Sequence, residues 1–536
     1  MTPQTHSDLY TTAQLRAAEA AFQAAHPKIS LLQRAGACLV RHAASLLARK
    51  KGARILVLAG PGNNGGDAWV AAAGLLKDGH ALTVIGLGEQ TFGEPAAKSA
   101  HAAYLKAKGE VRKDLPKNVR FDLVIDGLFG VGLSRAPSGA FADMIRIVNE
   151  LRRSQGIPVI AVDIPSGLGA ETGIAFGEAI EADRTVSFIG LKPGLFTAAG
   201  RDHAGEVFLE TLGVERLAEP VSASGILLGA DNVRRLIPER RHASHKGTYG
   251  NVGIIGGTDG MVGAAVLAAR GALFMGPGKV LLGFAAKDAP VFDPLNPEIM
   301  VRRAEDLIGD AELAALALGM GLGTDRVAPR LVAAALSRTL PTVLDADALN
   351  VIAATPSLAT LLAAEGQKSS TGAGFEAKTP EKSRQCSRFV LTPHPGEAAR
   401  LLAQSSAEVQ ADRVKAAVTL ARRFWSVVVL KGSGTVVAAP DGFYAINGSG
   451  NPGMASGGMG DALAGMIAAF LAQGLDTLDA SRLAVYLHGA AADACIEHGM
   501  APHGLTASEV IFEARTLLNS RLQEHSHGHT PAAGAT

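Results

Sequence analysis

Residues 54–72 read RILVLAGPGNNGGDAWVAA, a short apolar run followed by a glycine-rich loop and the start of a helical pattern. Similar runs alternate with helical patterns at 81–87, 121–128, 158–164 and 184–190. Apolar, β-branched runs separated by amphipathic helices are typical of a parallel sheet with helices on both faces. Two helical patterns within 11–50 precede the first run. We therefore predict a doubly wound α/β domain over residues 1–220.

A second α/β series follows the irregular segment 217–224, with apolar runs at 251–257, 279–285, 316–323 and 341–349. We place a domain boundary at that segment and predict a second α/β domain over residues 225–522. Within it, residues 365–388 are rich in Gly, Ser and Lys without periodicity, which predicts a mobile surface insertion. Residues 523–536 are predicted to form a disordered tail.

The composition excludes several classes of protein. Lys and Arg total 51 against 50 Asp and Glu, so no basic surface is available for nucleic acid or an anionic membrane. The longest apolar stretches are interrupted before they reach membrane-spanning length. Cys38, Cys386 and Cys495 are far apart and lack metal-ligand spacing, which fits a reducing compartment. We expect a cytoplasmic homo-oligomer that binds neither nucleic acid nor membrane.

Polar residues follow three strands of the first predicted sheet. The loop after residues 54–60 contains Asn64 and Asp67, and Asp67 is either a ligand group or a helix N-cap. Asp126 follows one later strand, and Asp163 and Ser166 follow the next. A single strand-end Asp is usually a cap or turn former, but three such loops meeting at one edge favour a site.

The chemistry of these side chains favours a cation. Asn64, Asp126 and Ser166 offer oxygen ligands for a hard monovalent or divalent ion, without the Cys or His that zinc prefers. Asp163 is then free for proton transfer.

Residues 450–465, GNPGMASGGMGDALAG, form the corresponding loop of the second half. Glycines let backbone N–H groups face an anion, and a helix that starts near Gly460 directs its positive end to the same point. Asp461 beside a bound phosphate suggests phosphoryl chemistry on a hydroxyl, with Asp461 as the base. The helix N-terminus is expected to favour the charged form of Asp461 and so to weaken it as a base. The alternative is a glycine-rich turn with Asp461 as the helix cap.

Other candidate groups of the second half also follow predicted strands. Lys246, which precedes the run 251–257, either reaches an anionic ligand or is a solvated lysine, and the small residues of 319–323 allow close backbone approach to a ligand. His394 lies between two prolines, in a rigid loop, and Lys431 precedes a glycine turn that forms a second side of a phosphate site. The remaining strand-end candidates are Asp345, Asp347 and Asn350.

Residues 10–217 resemble the N-terminal domain of NAD(P)H-hydrate epimerases, a Rossmann-like domain. The matching strings are GNNGGD, D-x-L-F-G-x-G at 126–132 and D-I-P-S-G at 163–167. The resemblance implies a potassium ion at Asn64, Asp126 and Ser166. The family usually continues GGDG, whereas Ala68 stands here and adds a methyl group. The implied ligands of the hydrated nicotinamide dinucleotide are Asn63, Asn64, Gly65, Gly66, Asp67, Gly130, Val131, Gly132, Leu133, Ser134, Arg135, Ala136 and Asp163.

Residues 225–520 resemble the ADP- or ATP-dependent NAD(P)H-hydrate dehydratases, which have a ribokinase-like fold. The matching strings are GNVGIIGG, GMGLG, LDADAL, TPHPGE, KGSGT and GNPGMASGGMGD, with Met459 where the family usually has Thr. The residues implied to bind the adenine nucleotide are Lys431, Gly432, Ser433, Gly434, Thr435 and Gly460, and those implied to contact the hydrate are Ala264, Gly321, His394 and Asp461. Mg²⁺ is expected to neutralise the phosphates.

The whole chain thus resembles a bifunctional NAD(P)H-hydrate repair enzyme. The resemblance implies a first domain that interconverts the two hydrate epimers and a second that dehydrates one of them at the expense of ADP or ATP. The alternative is a ribokinase-like kinase of a small alcohol, joined to a non-catalytic ligand-binding module.

Overall fold

The computed structural model describes residues 7–48, 50–88, 95–116, 119–214, 222–371, 387–500 and 502–526. The chain divides into two compact units, residues 1–226 and 227–536. Most of the predicted insertion (372–386) and the end of the predicted tail (527–536) lie outside the described residues. The adjoining parts, 365–371 and 523–526, are helical.

The first unit contains a parallel sheet. Its strands are β2 (Arg54–Ala59), β3 (Ala81–Gly86), β4 (Val111–Arg112), β5 (Leu123–Gly127), β6 (Val159–Val162), β7 (Arg184–Phe188) and β8 (Glu206–Glu210), in the order β4-β3-β2-β5-β6-β7-β8. A two-residue strand, β1 (Asp8–Leu9), pairs with Gly225 and Ile226. The predicted strands of this half are confirmed, whereas β1, β4 and β8 were not predicted from the sequence.

Helices cover both faces of this sheet. They are α1 (Thr12–Ala25), α2 (Leu31–Leu46), α3 (Asn63–Lys77), α4 (Pro95–Lys106), α5 (Ala140–Gln155) and α6 (Gly200–His203). Side chains of β2 alternate between two cores: Ile55 and Val57 belong to the core that includes Trp69 of α3, and Leu56 to the core that includes Ile145 of α5. Period-two alternation into two apolar cores is what a doubly wound sheet requires.

The second unit is built on a larger sheet. Its strands are β9 (Gly225–Leu228), β10 (Asn251–Gly256), β11 (Lys279–Phe284), β12 (Met300–Arg303), β13 (Ala315–Leu318), β14 (Thr342–Leu344), β15 (Phe389–Leu391), β16 (Val427–Leu430), β17 (Val436–Ala438) and β18 (Tyr444–Asn447). From β18 the order is β18-β17-β16-β15-β14-β13-β10-β11-β12, parallel from β16 to β12 and antiparallel between β16, β17 and β18. The predicted α/β fold class is confirmed.

The helices of this unit are α7 (Ala230–Arg234), α8 (Val262–Phe274), α9 (Ala304–Leu307), α10 (Ala328–Leu336), α11 (Asp347–Ala354), α12 (Pro356–Thr371), α13 (Pro395–Leu402), α14 (Ser406–Ala411), α15 (Arg413–Phe424), α16 (Met459–Ala472), α17 (Thr477–Glu497) and α18 (Ala507–Ser526).

Helices α8 and α16 are in direct backbone contact. A Cβ atom on Gly465 would lie 1.9 Å from the carbonyl oxygen of Ala268, and one on Gly271 would lie 2.5 Å from that of Ala462. Only glycine fits at such distances, so the two helices are locked at close range. Each of them begins at the carboxyl edge of the sheet.

Among the described residues, no single helix has the length and apolarity needed to cross a membrane. One bent pair, Asp347–Ala354 with Pro356–Ser369, passes that test on length and composition only.

Candidate active sites

The loop after β2 leads directly into α3 at the carboxyl edge of the first sheet. Helix α3 begins at Asn63, with Gly62 at the N-cap and no side-chain cap. Asp67 therefore lies inside the helix, and the N-cap alternative for Asp67 was wrong. Ala68 is fully buried against Gly127, since a Cβ atom on that glycine would lie 2.6 Å from the Ala68 methyl carbon.

The three residues expected to hold a cation lie together around the backbone of Phe129. The Asn64 amide donates to Phe129 O (2.9 Å) and Val162 O (2.8 Å). The Ser166 hydroxyl donates to Asp126 Oδ1 (2.7 Å), and Ser166 N–H donates to Asp126 Oδ2 (2.8 Å). Phe129 N–H in turn donates to Ser166 Oγ (2.9 Å). The first turn of α3, the end of β5 and the loop after β6 thus converge on one cluster of oxygen atoms, and Asp126 lies in its strand and not after it as predicted.

The charge of Asp126 fits a cation beside this cluster. Asp126 is fully buried, and its hydrogen-bond donors among the described residues are the neutral groups of Ser166 and Leu128. Burial raises the pKa of Asp126 to about 6, against the hydrogen bonds from Ser166. A buried carboxylate surrounded by neutral dipoles favours a nearby positive ion. Within the described ranges, no group of three or more His, Cys, Asp or Glu side chains is placed to hold a metal.

The segment 130–136 adjoins this cluster and is largely exposed from Gly132 to Ala136. A Cβ atom on Gly130 would lie 2.9 Å from Asn64 Oδ1, so the start of the segment packs directly on the amide. An exposed loop beside buried polar groups leaves room for a ligand on the solvent side.

Asp163 follows β6 in a left-handed backbone conformation, with φ of 63°. Its N–H donates to Val186 O (2.8 Å), and its Oδ1 accepts from Phe188 N–H (2.9 Å). Lys192 Nζ forms an ion pair with the same Oδ1. A non-glycine residue at positive φ costs free energy that its surroundings must offset, and such residues cluster at functional sites. Lys192 was not singled out from the sequence.

In the second unit, the partly buried Lys431 forms an ion pair with the buried Asp345. Lys431 Nζ lies 2.6 Å from Asp345 Oδ1 and 3.9 Å from a Glu397 oxygen, and Thr392 Oγ donates to Asp345 Oδ1 (2.7 Å). Burial opposes the ammonium, but Asp345 and Glu397 outweigh it and raise the pKa of Lys431. A Cβ atom on Gly460 would lie 3.2 Å from Lys431 Nζ, so the lysine rests against the first turn of α16.

Asp461 lies in that first turn. The N-cap of α16 is Gly458, with φ of 89° and no side-chain cap, so Asp461 is not the helix cap. Burial raises the pKa of Asp461 to about 6, and Asp345 adds to the rise while Lys431 opposes it. The direction of this shift is opposite to the expected weakening of Asp461 as a base, because desolvation and a neighbouring carboxylate disfavour its charged form.

The residues expected to contact the hydrate occupy the same edge. A Cβ atom on Gly321 would lie 3.2 Å from the Ala264 methyl carbon, so the loop after β13 touches the start of α8. His394 is the N-cap of α13: its Nδ1 accepts from Gly396 N–H (3.0 Å) while Glu397 accepts from His394 N–H (2.8 Å). Lys431 and Asp345 both influence the pKa of His394, which burial lowers, so these groups are close neighbours.

Two charged residues that the sequence did not reveal hold the candidate phosphate loops. Arg413 is buried and donates to the carbonyl oxygens of Leu430 and Lys431, each at 3.2 Å. Asp493 accepts from Gly450 N–H (2.7 Å) and from the Asn451 amide (3.0 Å). In both cases the partner lies far away in the chain, so no local pattern indicates the contact.

The position of Lys246 contradicts the alternative in which it binds an anionic ligand. It is exposed in a short 3₁₀ helix, Lys246–Tyr249, immediately before β10. It therefore lies at the amino end of the parallel strands, whereas the candidate site is at their carboxyl ends, and the solvated-lysine alternative is confirmed.

Each α/β unit thus gathers acidic and amide side chains at the carboxyl ends of its parallel strands, which defines a two-domain enzyme. A family model for the YjeF-related protein N-terminus matches residues 28–194, and one for NAD(P)H-hydrate dehydratase matches residues 252–368 and 371–513. The chain belongs to the family of bifunctional NAD(P)H-hydrate repair enzymes, as the following relatives show.

The bifunctional NAD(P)H-hydrate repair enzyme Nnr of Escherichia coli is 35% identical, over 88% of this chain and 86% of its own length. The enzyme of the same name from Coxiella burnetii is 35% identical, over 95% of this chain and 99% of its own. The ADP/ATP-dependent NAD(P)H-hydrate dehydratase of Bacillus subtilis, crystallised with ATP and Mg²⁺, is 32% identical. That structure aligns with a TM-score of 0.46 and covers 55% of this chain and 97% of its own.

Proposed function

We propose that the first domain interconverts the two epimers of NAD(P)H hydrate and that the second returns the S epimer to NAD(P)H at the expense of ADP or ATP. The observation that carries this proposal is the position of Asp461, a partly buried carboxylate with a raised pKa at the start of a helix whose first turn also contacts Lys431. A base of that strength beside a phosphate site suits the activation of a hydroxyl group.

The dehydration then follows from phosphoryl transfer. Asp461 takes the proton of the ring hydroxyl as its oxygen attacks the terminal phosphorus of the nucleotide, which releases AMP from ADP, or ADP from ATP. The phosphorylated oxygen departs as inorganic phosphate with its bonding electrons, and loss of a ring proton restores the double bond of the reduced nicotinamide. Hydrate and ADP are thus converted into NAD(P)H, AMP and phosphate.

The nucleotide is assigned to residues 431–435 and to Gly460. Two charged residues hold the loops of this site in place: Arg413 binds the carbonyl oxygens before the 431–435 turn, and Asp493 fixes the loop at Gly450. Ala264, Gly321 and His394 are assigned to the hydrate. Mg²⁺ would neutralise the nucleotide phosphates, and Asp345 and Glu397 are the buried carboxylates nearest to Lys431.

In the first domain, Asp163 is assigned to proton transfer, and residues 63–67 and 130–136 to the dinucleotide. Asn64, Asp126 and Ser166 would hold potassium, since their neutral surroundings offer oxygen ligands and a single carboxylate charge. The ion would fix the three loops relative to one another. We further propose that the chain works in the cytoplasm as a homo-oligomer. Sedimentation of the purified protein tests the oligomeric state.

The decisive experiment uses the purified chain and a mixture of both hydrate epimers. With ADP or ATP present, the absorbance of reduced nicotinamide should return to completion, together with one phosphate for each molecule repaired. The alternative, a small-molecule kinase with a non-catalytic first module, predicts a stable phosphorylated product and no recovery of NAD(P)H.

A further inference from the structure

Lys192 is a buried lysine that the proposed function leaves without a role. The residue is 1% exposed, although it follows β7 in the string IGLKPGL, between the strand and a 3₁₀ turn at Pro193–Leu195. A lysine is almost never fully buried unless its charge is paired, because removing an ammonium from water is costly. The pairing partner here is Asp163.

All three donors of the ammonium are engaged. Lys192 Nζ donates to Asp163 Oδ1, to Ser187 Oγ (3.1 Å) and to the carbonyl oxygen of Phe188 (2.9 Å). An ammonium group has three N–H bonds and no acceptor. Lys192 therefore has no free donor for a substrate, and any effect that it has on the reaction passes through Asp163.

The two oxygen atoms of Asp163 differ as a result. Oδ1 accepts from Phe188 N–H (2.9 Å) as well as from Lys192, whereas no hydrogen bond to Oδ2 occurs within the described residues. The Asp163 side chain keeps 14% of its surface exposed, while the Lys192 side chain keeps 2%. One oxygen is thus anchored inside the protein, and the other is available at the carboxyl edge of the sheet.

The two hydrogen bonds to Oδ1 also offset the free-energy cost of the left-handed backbone conformation of Asp163. With φ of 63°, this residue occupies the left-handed region without being glycine. The ion pair and the Phe188 hydrogen bond together hold the carboxylate in one orientation. A proton-transfer group gains rate from such fixation, because its reactive oxygen is already aligned before the substrate arrives.

We propose that Lys192 is a positioning residue of the epimerase site, which fixes Asp163 through Oδ1 so that Oδ2 exchanges the proton with the hydrate. This inference rests on the proposed role of Asp163. It goes further by assigning the two carboxylate oxygens to different tasks and by adding a residue that does not touch the substrate.

The test is a double-mutant cycle on the full-length chain with Lys192→Met, Asp163→Asn and the double variant. Each variant is measured for epimerisation with potassium present, as separate kcat and KM values for the hydrate. Lys192→Met should lower kcat by about a hundredfold while KM changes by less than about threefold, because it disturbs alignment and not dinucleotide binding. The double variant should be no slower than Asp163→Asn alone, since Lys192 acts only through that carboxylate.

Two controls separate positioning from folding. Lys50→Met removes another lysine–aspartate pair of the first domain, Lys50 with Asp122 (2.8 Å), which lies before β2 and β5 at the opposite edge of the sheet, and it should leave epimerisation unchanged. The dehydratase activity of each variant reports on the second domain. If Lys192→Met does not fold, Lys192→Gln takes its place in the test, because its amide keeps a donor for Oδ1. Lys192→Gln should then retain a higher kcat than a variant that is unfolded or that has no donor at position 192.

The outcomes are distinct. A wild-type kcat in folded Lys192→Met overturns the role of Lys192. So does a double variant whose loss of kcat is the product of the two single losses, when Asp163→Asn itself is slow. Either result leaves Asp163 as the proton-transfer group. A wild-type kcat in Asp163→Asn overturns the proposed role of Asp163 and this inference with it.

Discussion

Lys431 and Asp345 form a partly buried ion pair, Nζ to Oδ1 at 2.6 Å, across 86 residues of sequence. The lysine that the KGSGT string assigns to the nucleotide is thus held by a carboxylate before any phosphate arrives. Since Asp345 also raises the pKa of Asp461, this one pair connects the proposed nucleotide loop to the proposed catalytic base.

We expect Asp461→Asn to abolish nucleotide-dependent dehydration and to leave epimerisation intact. Removing a general base costs about a hundredfold or more in rate. Recovery of NAD(P)H from the S epimer measures the first activity, and exchange between separated epimers measures the second. Dehydration by this variant at close to the normal rate would show that another group takes the proton.

The dehydration rate should fall below a pH of about 6, because the pKa of Asp461 is raised to about 6 and only the carboxylate accepts a proton. Below that pH, kcat/KM should decrease about tenfold for each pH unit. The measurement is initial rate against pH at saturating nucleotide. An acid limb centred near the ordinary aspartate value would mean that Asp461 is solvated when it reacts.

The sequence predicts much of this architecture because the information is local. Apolar runs such as 54–60 and 251–257 mark the buried parallel strands, and the strings after them mark the site edge. The contacts of Lys192 and Arg413 were not predictable, since their partners come from other elements. The raised pKa of Asp461 was not predicted for a related reason. The burial of a side chain depends on the packed fold, whereas the glycine-rich loop before α16 already indicates where the helix begins and which of its ends faces the site.

Asp163→Asn should slow consumption of the R epimer while the S epimer is repaired at the full rate. Biphasic recovery of NAD(P)H from a mixed sample is the expected signature, because the fast phase then reports dehydration and the slow phase reports epimer exchange. If both epimers still disappear together, well above the spontaneous rate, Asp163 does not transfer the proton.

Replacing potassium by tetramethylammonium should slow epimerisation and lower the melting temperature of the first domain alone. The oxygen atoms of Asn64, Asp126 and Ser166 come from a helix, a strand and a loop, and without an ion the fully buried Asp126 lacks a charged partner among the described residues. Domain melting is followed by calorimetry in each salt. Asp122→Asn, at the opposite edge of the sheet, is the matched control and should respond to potassium as the wild type does. An unchanged first domain would show that the three residues are only capping groups.

His488 should make the second domain sensitive to acid. It is buried on α17, its Nε2 has no hydrogen-bond partner within the described residues, and burial lowers its pKa to about 4. Between pH 6.5 and 4 the unfolded chain binds a proton that the folded chain does not, so the free energy of unfolding should fall by roughly 3 kcal/mol as the pH decreases.

His488→Leu should remove most of this dependence, since leucine is of similar size and has no proton to bind. The test compares the melting of the second domain at neutral pH and at about pH 4.5. The exposed His242 supplies the control substitution, His242→Leu, which should keep the wild-type dependence. Equal acid sensitivity in His488→Leu would assign the effect to other groups.

The glycine contacts between α8 and α16 affect the distance between the reacting groups. Of the residues proposed to contact the hydrate, Ala264 is at the start of α8 and Asp461 is in the first turn of α16, beside the proposed phosphate loop. The spacing of these two helices, which touch at Gly271 and Gly465, therefore affects the distance between nucleophile and phosphorus. A single methyl group at Gly465, about one helical turn beyond Asp461, would push the two helices apart and lengthen that distance. Phosphoryl transfer tolerates little extra distance, so the packing of these two helices sets the distance on which the reaction depends.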